Sequence, residues 1–342
     1  MIAARLFVPL LAAAALLLTA CGRSGPEAGR EPAVEMVRVR LQLDWLPQIE
    51  SGGYYQAAAR GYYRAQGLEV EIMPGGPGLP VREIVGKGTA DFGATDGNGV
   101  LVSVAAGSPL VIVGAEMQRN PQGLLFHRTH PLRSFRDLDG RTVIASANMA
   151  WVEFLQRSLR VRFDLRPNNT DLTAFVADET LVRQCFVTQE PYRAERGGAQ
   201  VDFLMLADAG YDPYRVVFCR RDFAAQYPDT VRRFLVATIA GYDELLRGDP
   251  TPAFAAIALA NPTMPREVME HGLARMRELH LVDGRASEGE RTGRIVRDRI
   301  ASQIDQLQRL KLLERNVEVD EVARFDLLPV AGTPDPSRPQ TP

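Results

Sequence analysis

Hydrophobic and polar residues alternate over "VRVRLQL" (37–43), the period-two signature of a strand with one buried face. The run "YYQAAARGYYRAQG" (54–67) then reads as a helix ending at Gly67, followed by the strand "LEVEIMP", the helix "LPVREIVGKG" and the short strand "ADFGAT". A further helix, "GNGVLVSVAAG", leads into the continuous apolar strand "PLVIVGAEM". Strands and helices alternating at this spacing predict βαβ units around a parallel sheet buried on both faces. This is one α/β lobe.

A second set begins at "GLLFHRTH". The segment "SFRDLDG" reads as a short helix with Ser134 as its N-cap, feeding the strand "RTVIAS". Next come the helix "MAWVEFLQRSLR", a strand near "LTAFV", a helix at "DETLVRQC", and strands around "FVTQEP" and "DFLMLADAG". These make a second α/β lobe. The chain then returns through "RVVFCRRDF" to the helix "PDTVRRFLVATIAGYDELLR" and several more helices. In the last of them Val296, Ile300, Ile304 and Leu307 share one face, a stripe suited to docking on a lobe. Residues 331–342 read as a disordered tail.

The termini and composition narrow the function classes. "MIAARLFVPLLAAAALLLTACGRSG" has one arginine and then an apolar run too short for the roughly 20 residues of a membrane span. It reads as an export signal over residues 1–20, closed by the lipobox Leu18-Thr19-Ala20-Cys21, with Cys21 as the lipidated residue. Residues 21–36 form a Gly, Pro and Glu tether. A formal net charge of −2 argues against a nucleic-acid partner. Two further cysteines, Cys185 and Cys219, lie in apolar runs. Two buried thiols is the simpler reading and a disulfide the alternative. "HRTH" lacks a third ligand for a metal, and "PGGPG" lacks the spacing of a phosphate loop. No cofactor is expected, nor any catalytic triad, so a binding role is favoured over an enzymatic one.

Several motifs occur together and in order: "LQLDWLPQIESGGYYQAAARGYYRAQGLEVEIMPGGPG", then "GTADFGATDGNGVLVSVAAGSPLVIVGAEMQRNPQG", "DLDGRTV", "TQEPYRAE" and "DAGYDPYRVVFCRRDF". This set resembles the NMT1/THI5-like family of periplasmic binding proteins, the solute receptors of ABC importers. The resemblance implies a type II fold, two α/β lobes joined by a two-strand hinge and closing over a ligand. On that reading lobe 1 is residues 37–116 plus 214–330 and lobe 2 is residues 117–213. The implied partners are a small-molecule ligand, an ABC permease with its ATPase, and the membrane through Cys21, with the protein itself a monomer. A ligand-sensing receptor subunit is the alternative. A pyrimidine synthase is a third reading, opposed by the lipobox and by Ser51, which stands where those enzymes carry the histidine they consume.

Asp44 and Trp45 follow the first strand, at the edge where open α/β sheets present ligand sites. Trp45 can stack on a flat ring and Asp44 can accept from ring nitrogens. Gln48, Ser51 and Tyr54 belong to the same loop. Thr95 and Asp96 open a helix, and Asp96 or Asn98 can also serve as its N-cap. Gln118 sits at the first crossing between lobes and Tyr211 at the second. Asn148 and Met149 end a strand of the second lobe, and Gln189, Glu190 and Tyr192 end another. Acids on both lobes point to a flat heteroaromatic ligand with hydrogen-bond donors or positive charge. They disfavour a sulfonate, unless Arg119 turns inward.

Overall fold

The computed structural model describes residues 36–146, 149–168 and 171–328. Residues 1–20, read above as an export signal, Cys21, residues 331–342 and Asn148 lie outside them. In the first lobe β1 (Val37–Leu43) leads into α1 (Gly52–Ala59), α2 (Tyr62–Ala65) and β2 (Leu68–Met73). Then come α3 (Val81–Gly86), β3 (Phe92–Asp96), α4 (Gly97–Ala105) and β4 (Leu110–Met117). The single helix expected over 54–67 is two, because Gly61 adopts φ +75° and interrupts the first before the second begins.

The second lobe holds β5 (Gln122–His127), β6 (Thr142–Ala145), α5 (Ala150–Ser158) and β7 (Asp164–Pro167). It continues with α6 (Thr173–Ala177), β8 (Val182–Phe186), α7 (Glu190–Arg196) and β9 (Val201–Met205). Two expectations are corrected here. "LTAFV" is helical, since the Asp171 carboxylate accepts from the Thr173 amide at 2.8 Å and the Thr173 hydroxyl at 2.7 Å and so starts a helix. "DETLVRQC" ends as a strand, with Leu181, Val182, Arg183 and Cys185 all buried, a continuity that suits a central strand better than a one-faced helix.

The chain returns through β10 (Arg215–Arg220) to α8 (Arg221–Gln226), α9 (Pro228–Arg247), α10 (Thr251–Ala260), α11 (Arg266–Glu278), α12 (Arg297–Arg309) and α13 (Val319–Val322). Strand order is β2-β1-β3-β10-β4 in one sheet and β7-β6-β8-β5-β9 in the other. Neither sheet is purely parallel, contrary to the pattern-based expectation. β10 runs antiparallel to β3 and β4, and β5 antiparallel to β8 and β9. The reason is topological: each is delivered by a short crossing from the other lobe, enters at the edge where the neighbouring strands end, and must run back. The chain therefore passes between sheets twice, over 118–121 and 206–214.

Helix α9 packs on α1 through glycines. A Cβ on Gly241 would lie 2.2 Å from the Gly53 carbonyl oxygen, and one on Gly53 would lie 2.2 Å from the Tyr242 ring. Backbone cannot give way as a flexible side chain would. Gly241→Ala is expected to destabilise the protein by about 1–3 kcal/mol in urea unfolding, as overpacked core sites do. An unchanged midpoint would show that α9 can slide on α1. Cys185 and Cys219 are free buried thiols on strands of different sheets.

Candidate functional site

A cavity of about 410 Å³ opens between the sheets, within the size range of small-molecule sites. Both parallel strands β1 and β3 end at this edge, so the segment after β1 supplies Asp44, Trp45, Gln48 and Ser51, and the end of β3 with the first turn of α4 supplies Thr95, Asp96 and Asn98. From the second sheet Gln122 begins β5 opposite Phe186, the last residue of β8, and both reach the same space. Met149, Gln189, Glu190 and Tyr211 also line it. Ten of the sequence candidates thus meet at one cavity.

Three candidates are placed elsewhere. Tyr54 is fully buried, edge-on to Tyr242 with ring centroids 5.4 Å apart, because the helical period turns it toward α9. Gln118 points its amide away, donating to the Arg294 carbonyl at 2.7 Å. Tyr192 stacks on His271 of α11, centroids 4.6 Å apart. Arg119 does not turn inward either, and pairs with Asp208 at 3.2 Å.

At the centre stands a residue the sequence reading passed over. Antiparallel β10 sets its first residue, Arg215, beside Asp96 at the end of β3 and Met117 at the end of β4. Arg215 Nη2 donates to Asp44 Oδ1 at 2.8 Å and Nε donates to Glu116 Oε2 at 2.9 Å. Its guanidinium carbon lies 5.6 Å from the centre of the Phe186 ring. The other oxygen of Asp44 accepts from the Thr95 hydroxyl at 3.0 Å. Asp44 is therefore engaged within the protein, rather than held as the free acceptor expected for a ligand amine.

The remaining carboxyls are held just as closely. Asp96 caps α4 by accepting from the Gly99 amide at 3.3 Å, and also accepts from Asn120 Nδ2 at 3.1 Å. Glu50, on the single 3₁₀ turn before α1, takes hydrogen bonds from Gln189 Nε2 at 2.9 and 2.7 Å and from the Thr188 hydroxyl, so it joins the two lobes. Glu190 accepts the Phe186 amide at 2.8 Å. Burial raises the pKa of Glu50, Asp96 and Glu190 in spite of these donors. Burial pushes Glu116 up to about 7, with the Arg215 charge opposing. The Tyr242 hydroxyl lies 2.9 Å from the Glu50 carbonyl and 3.1 Å from Glu116 Oε1. One phenol proton cannot serve both, and a proton on Glu116 satisfies the pair.

Two residues lining the cavity hold buried acceptors with no partner among the described residues, Asn98 Oδ1 and Gln122 Oε1. Both residues are nearly buried, at 1% and 6% exposure. Asn98 Nδ2 donates to the Tyr211 hydroxyl at 3.1 Å, which fixes the amide plane. Trp45 stands at the rim, 37% exposed.

A family model described as "NMT1/THI5 like" matches residues 48–252. The riboflavin-binding protein RibY of Chloroflexus aurantiacus is 25% identical over 290 residues, spanning 75% of this chain and 81% of that protein. A 4-amino-5-hydroxymethyl-2-methylpyrimidine phosphate synthase of Legionella pneumophila is 29% identical over 106 residues, 31% of this chain and 34% of the enzyme. Among solved structures, the alkanesulfonate-binding protein SsuA from Xanthomonas axonopodis pv. citri superposes with a TM-score of 0.63 at 17% identity, covering 85% of this chain and 99% of that one. The last likeness shows the fold, that of two-lobed type II periplasmic binding proteins.

Proposed function

The chain belongs to the NMT1/THI5-like family, and from that premise we propose that it is a lipid-anchored receptor, facing outward from a cell membrane, that binds a flat heteroaromatic solute between its lobes and hands it to an ABC permease. The observation that carries this reading is that two residues lining the cavity, Asn98 and Gln122, hold buried acceptors with no partner among the described residues, and that Trp45 lines the same space. A ring with an imide or amine edge supplies N–H donors to such acceptors and a face to the indole. Asn98 comes from the first lobe and Gln122 from the second, so one ring edge touching both favours the closed arrangement.

Charge narrows the ligand. Five carboxyls line the cavity against two guanidiniums, Arg82 and Arg215, and Arg215 is already shared between two acids. A sulfonate would meet an acidic wall, whatever the fold shared with SsuA. The ring of riboflavin, the ligand named for the relative RibY, carries a pyrimidinedione edge and belongs to the favoured class. Ser51 speaks for binding over synthesis, as its hydroxyl donates to the Gln48 carbonyl at 2.9 Å and no imidazole occupies its place.

Titrating the purified chain with riboflavin, 4-amino-5-hydroxymethyl-2-methylpyrimidine and an alkanesulfonate tests the proposal. Saturable quenching of flavin fluorescence is expected, and Asn98→Ala should weaken it about tenfold, the value of one buried hydrogen bond. Binding of the sulfonate alone would overturn the ligand class.

A further inference from the structure

The cavity reading leaves Arg299 of α12 unused, although its guanidinium, 20% exposed, grips both chain crossings. Nη2 donates to the Gln118 carbonyl on the first crossing and to the Asp212 carbonyl on the second, the latter at 3.0 Å. It also pairs with Asp212 Oδ2 at 3.2 Å, while Nη1 donates to Glu290 Oε1 at 2.7 Å. The guanidinium plane sits over the Tyr214 ring, 3.9 Å from its centre. An arginine suits this place because its planar fork serves two carbonyls and two carboxylates at once while stacking on a ring.

The contacts continue from the crossings into the cavity. Asp212 Oδ1 accepts the Asn120 amide at 2.8 Å, and Asn120 Nδ2 in turn donates to Asp96 Oδ2 at 3.1 Å and to the Pro213 carbonyl at 3.2 Å. Asn120 Oδ1 accepts the backbone amide of Gln122, a residue lining the cavity, at 3.0 Å. Arg299, Asp212 and Asn120 thus form a hydrogen-bonded chain from a helix outside the cleft to Asp96 and Gln122 within it.

We propose that Arg299 is a positioning residue that braces the two crossings against each other and sets the angle between the lobes, so that α12 tunes ligand affinity without touching ligand. Rotating one lobe on the other changes the backbone of 118–121 and 206–214. Each carbonyl that moves then loses its share of a guanidinium that cannot follow both. The brace narrows the range of lobe angles, and the binding-competent fraction of molecules rises with it. The consequence for affinity rests on the receptor reading above, whereas the consequence for lobe angle does not.

The test places spin labels at Lys87→Cys and Arg166→Cys, exposed positions on opposite lobes, in a chain carrying Cys21→Ser and leaving the two buried native thiols in place. The inter-label distance distribution is recorded without added solute for the parent chain, Arg299→Met, Arg299→Lys and Asp212→Asn. Broader distributions are expected for Arg299→Met and Asp212→Asn, with Arg299→Lys between them and the parent, while each protein still unfolds cooperatively. Riboflavin titration of the same samples should show about a fivefold rise in Kd for Arg299→Met, matching a fivefold loss of the competent fraction. A purely structural role would lower the melting temperature and leave the distance distribution of the folded molecules as it was. Parent-like distributions in folded Arg299→Met overturn the brace, and if that variant does not fold, Asp212→Asn decides on the same criterion. Failure of riboflavin to bind even the parent overturns the ligand assignment and leaves the distance result to judge the brace.

Discussion

Arg215→Met is expected to destabilise the protein by about 3–5 kcal/mol, the cost of stranding a buried glutamate and a partly buried aspartate that pair with no other cation among the described residues. The side chain is 9% exposed and holds Asp44 at 2.8 Å and Glu116 at 2.9 Å. Methionine fills the volume and leaves both acids to face one another. Protonating them relieves the repulsion only in part, since Asp44 would still need a donor for the oxygen that Arg215 served. The prediction is sharpened by rescue. With Glu116→Gln and Asp44→Asn added, the stranded charges disappear, and the triple variant should recover most of the loss. Urea unfolding at neutral pH measures all three proteins. Equal destabilisation of the single and triple variants would mean that packing over Phe186, rather than charge, is what Arg215 contributes.

Arg215 also shows where reading the sequence reaches its limit. The run "RVVFC" is plainly a strand, and its residues are buried as its composition implies. Nothing within it announces that the strand runs backward between β3 and β4. Only that direction brings its first residue to the edge where β1 and β3 end. The periodicity that identifies a strand carries no information about its neighbours, so the central cation of the site was out of reach. The loop at 44–53 was legible for the opposite reason: an acid, a tryptophan and a proline beyond a clear strand make little sense except at an exposed sheet edge. Even there, Glu50 was missed while its neighbours were noticed, because its role depends on Thr188 and Gln189, 138 and 139 residues away. Tyr54 and Tyr192 failed by proximity. Each lies a turn or less from a cavity residue, and a helix rotates 100° per residue, so closeness in sequence places them on another face.

The cleft's chemistry has a common thread. Arg299, Arg215 and Asn120 are all fixed donors that gather carbonyls and carboxylates from segments far apart in sequence. Such groups tie the geometry of the cavity to that of the crossings. They also leave more acids buried at this site than cations to match them, which has a consequence for stability against pH.

Between pH 5 and 8 the protein is expected to lose stability, and Glu116→Gln is expected to remove much of that loss. The sign follows from where the proton is held. An unfolded glutamate titrates near its ordinary value of 4.5, whereas in the folded protein Glu116 keeps its proton to about pH 7, chiefly because it is buried. The folded state binds more protons across that window, so stability is fully present below pH 4.5 and falls as pH rises through 7. A shift of this size corresponds to about 3 kcal/mol at most. Glu50, Asp96 and Glu190 are raised by burial as well and act in the same direction. Exposed aspartates such as Asp171 and Asp178 are lowered by their threonine partners and act oppositely, but only as pH falls through the ordinary carboxylate range. Urea midpoints of the parent and Glu116→Gln, taken at half-unit intervals from pH 5 to 8, separate these contributions. The parent curve should descend and the variant curve run flatter. If the two descend in parallel, Glu116 is already ionised throughout, and the Tyr242 hydroxyl, not a proton on the acid, satisfies its second oxygen.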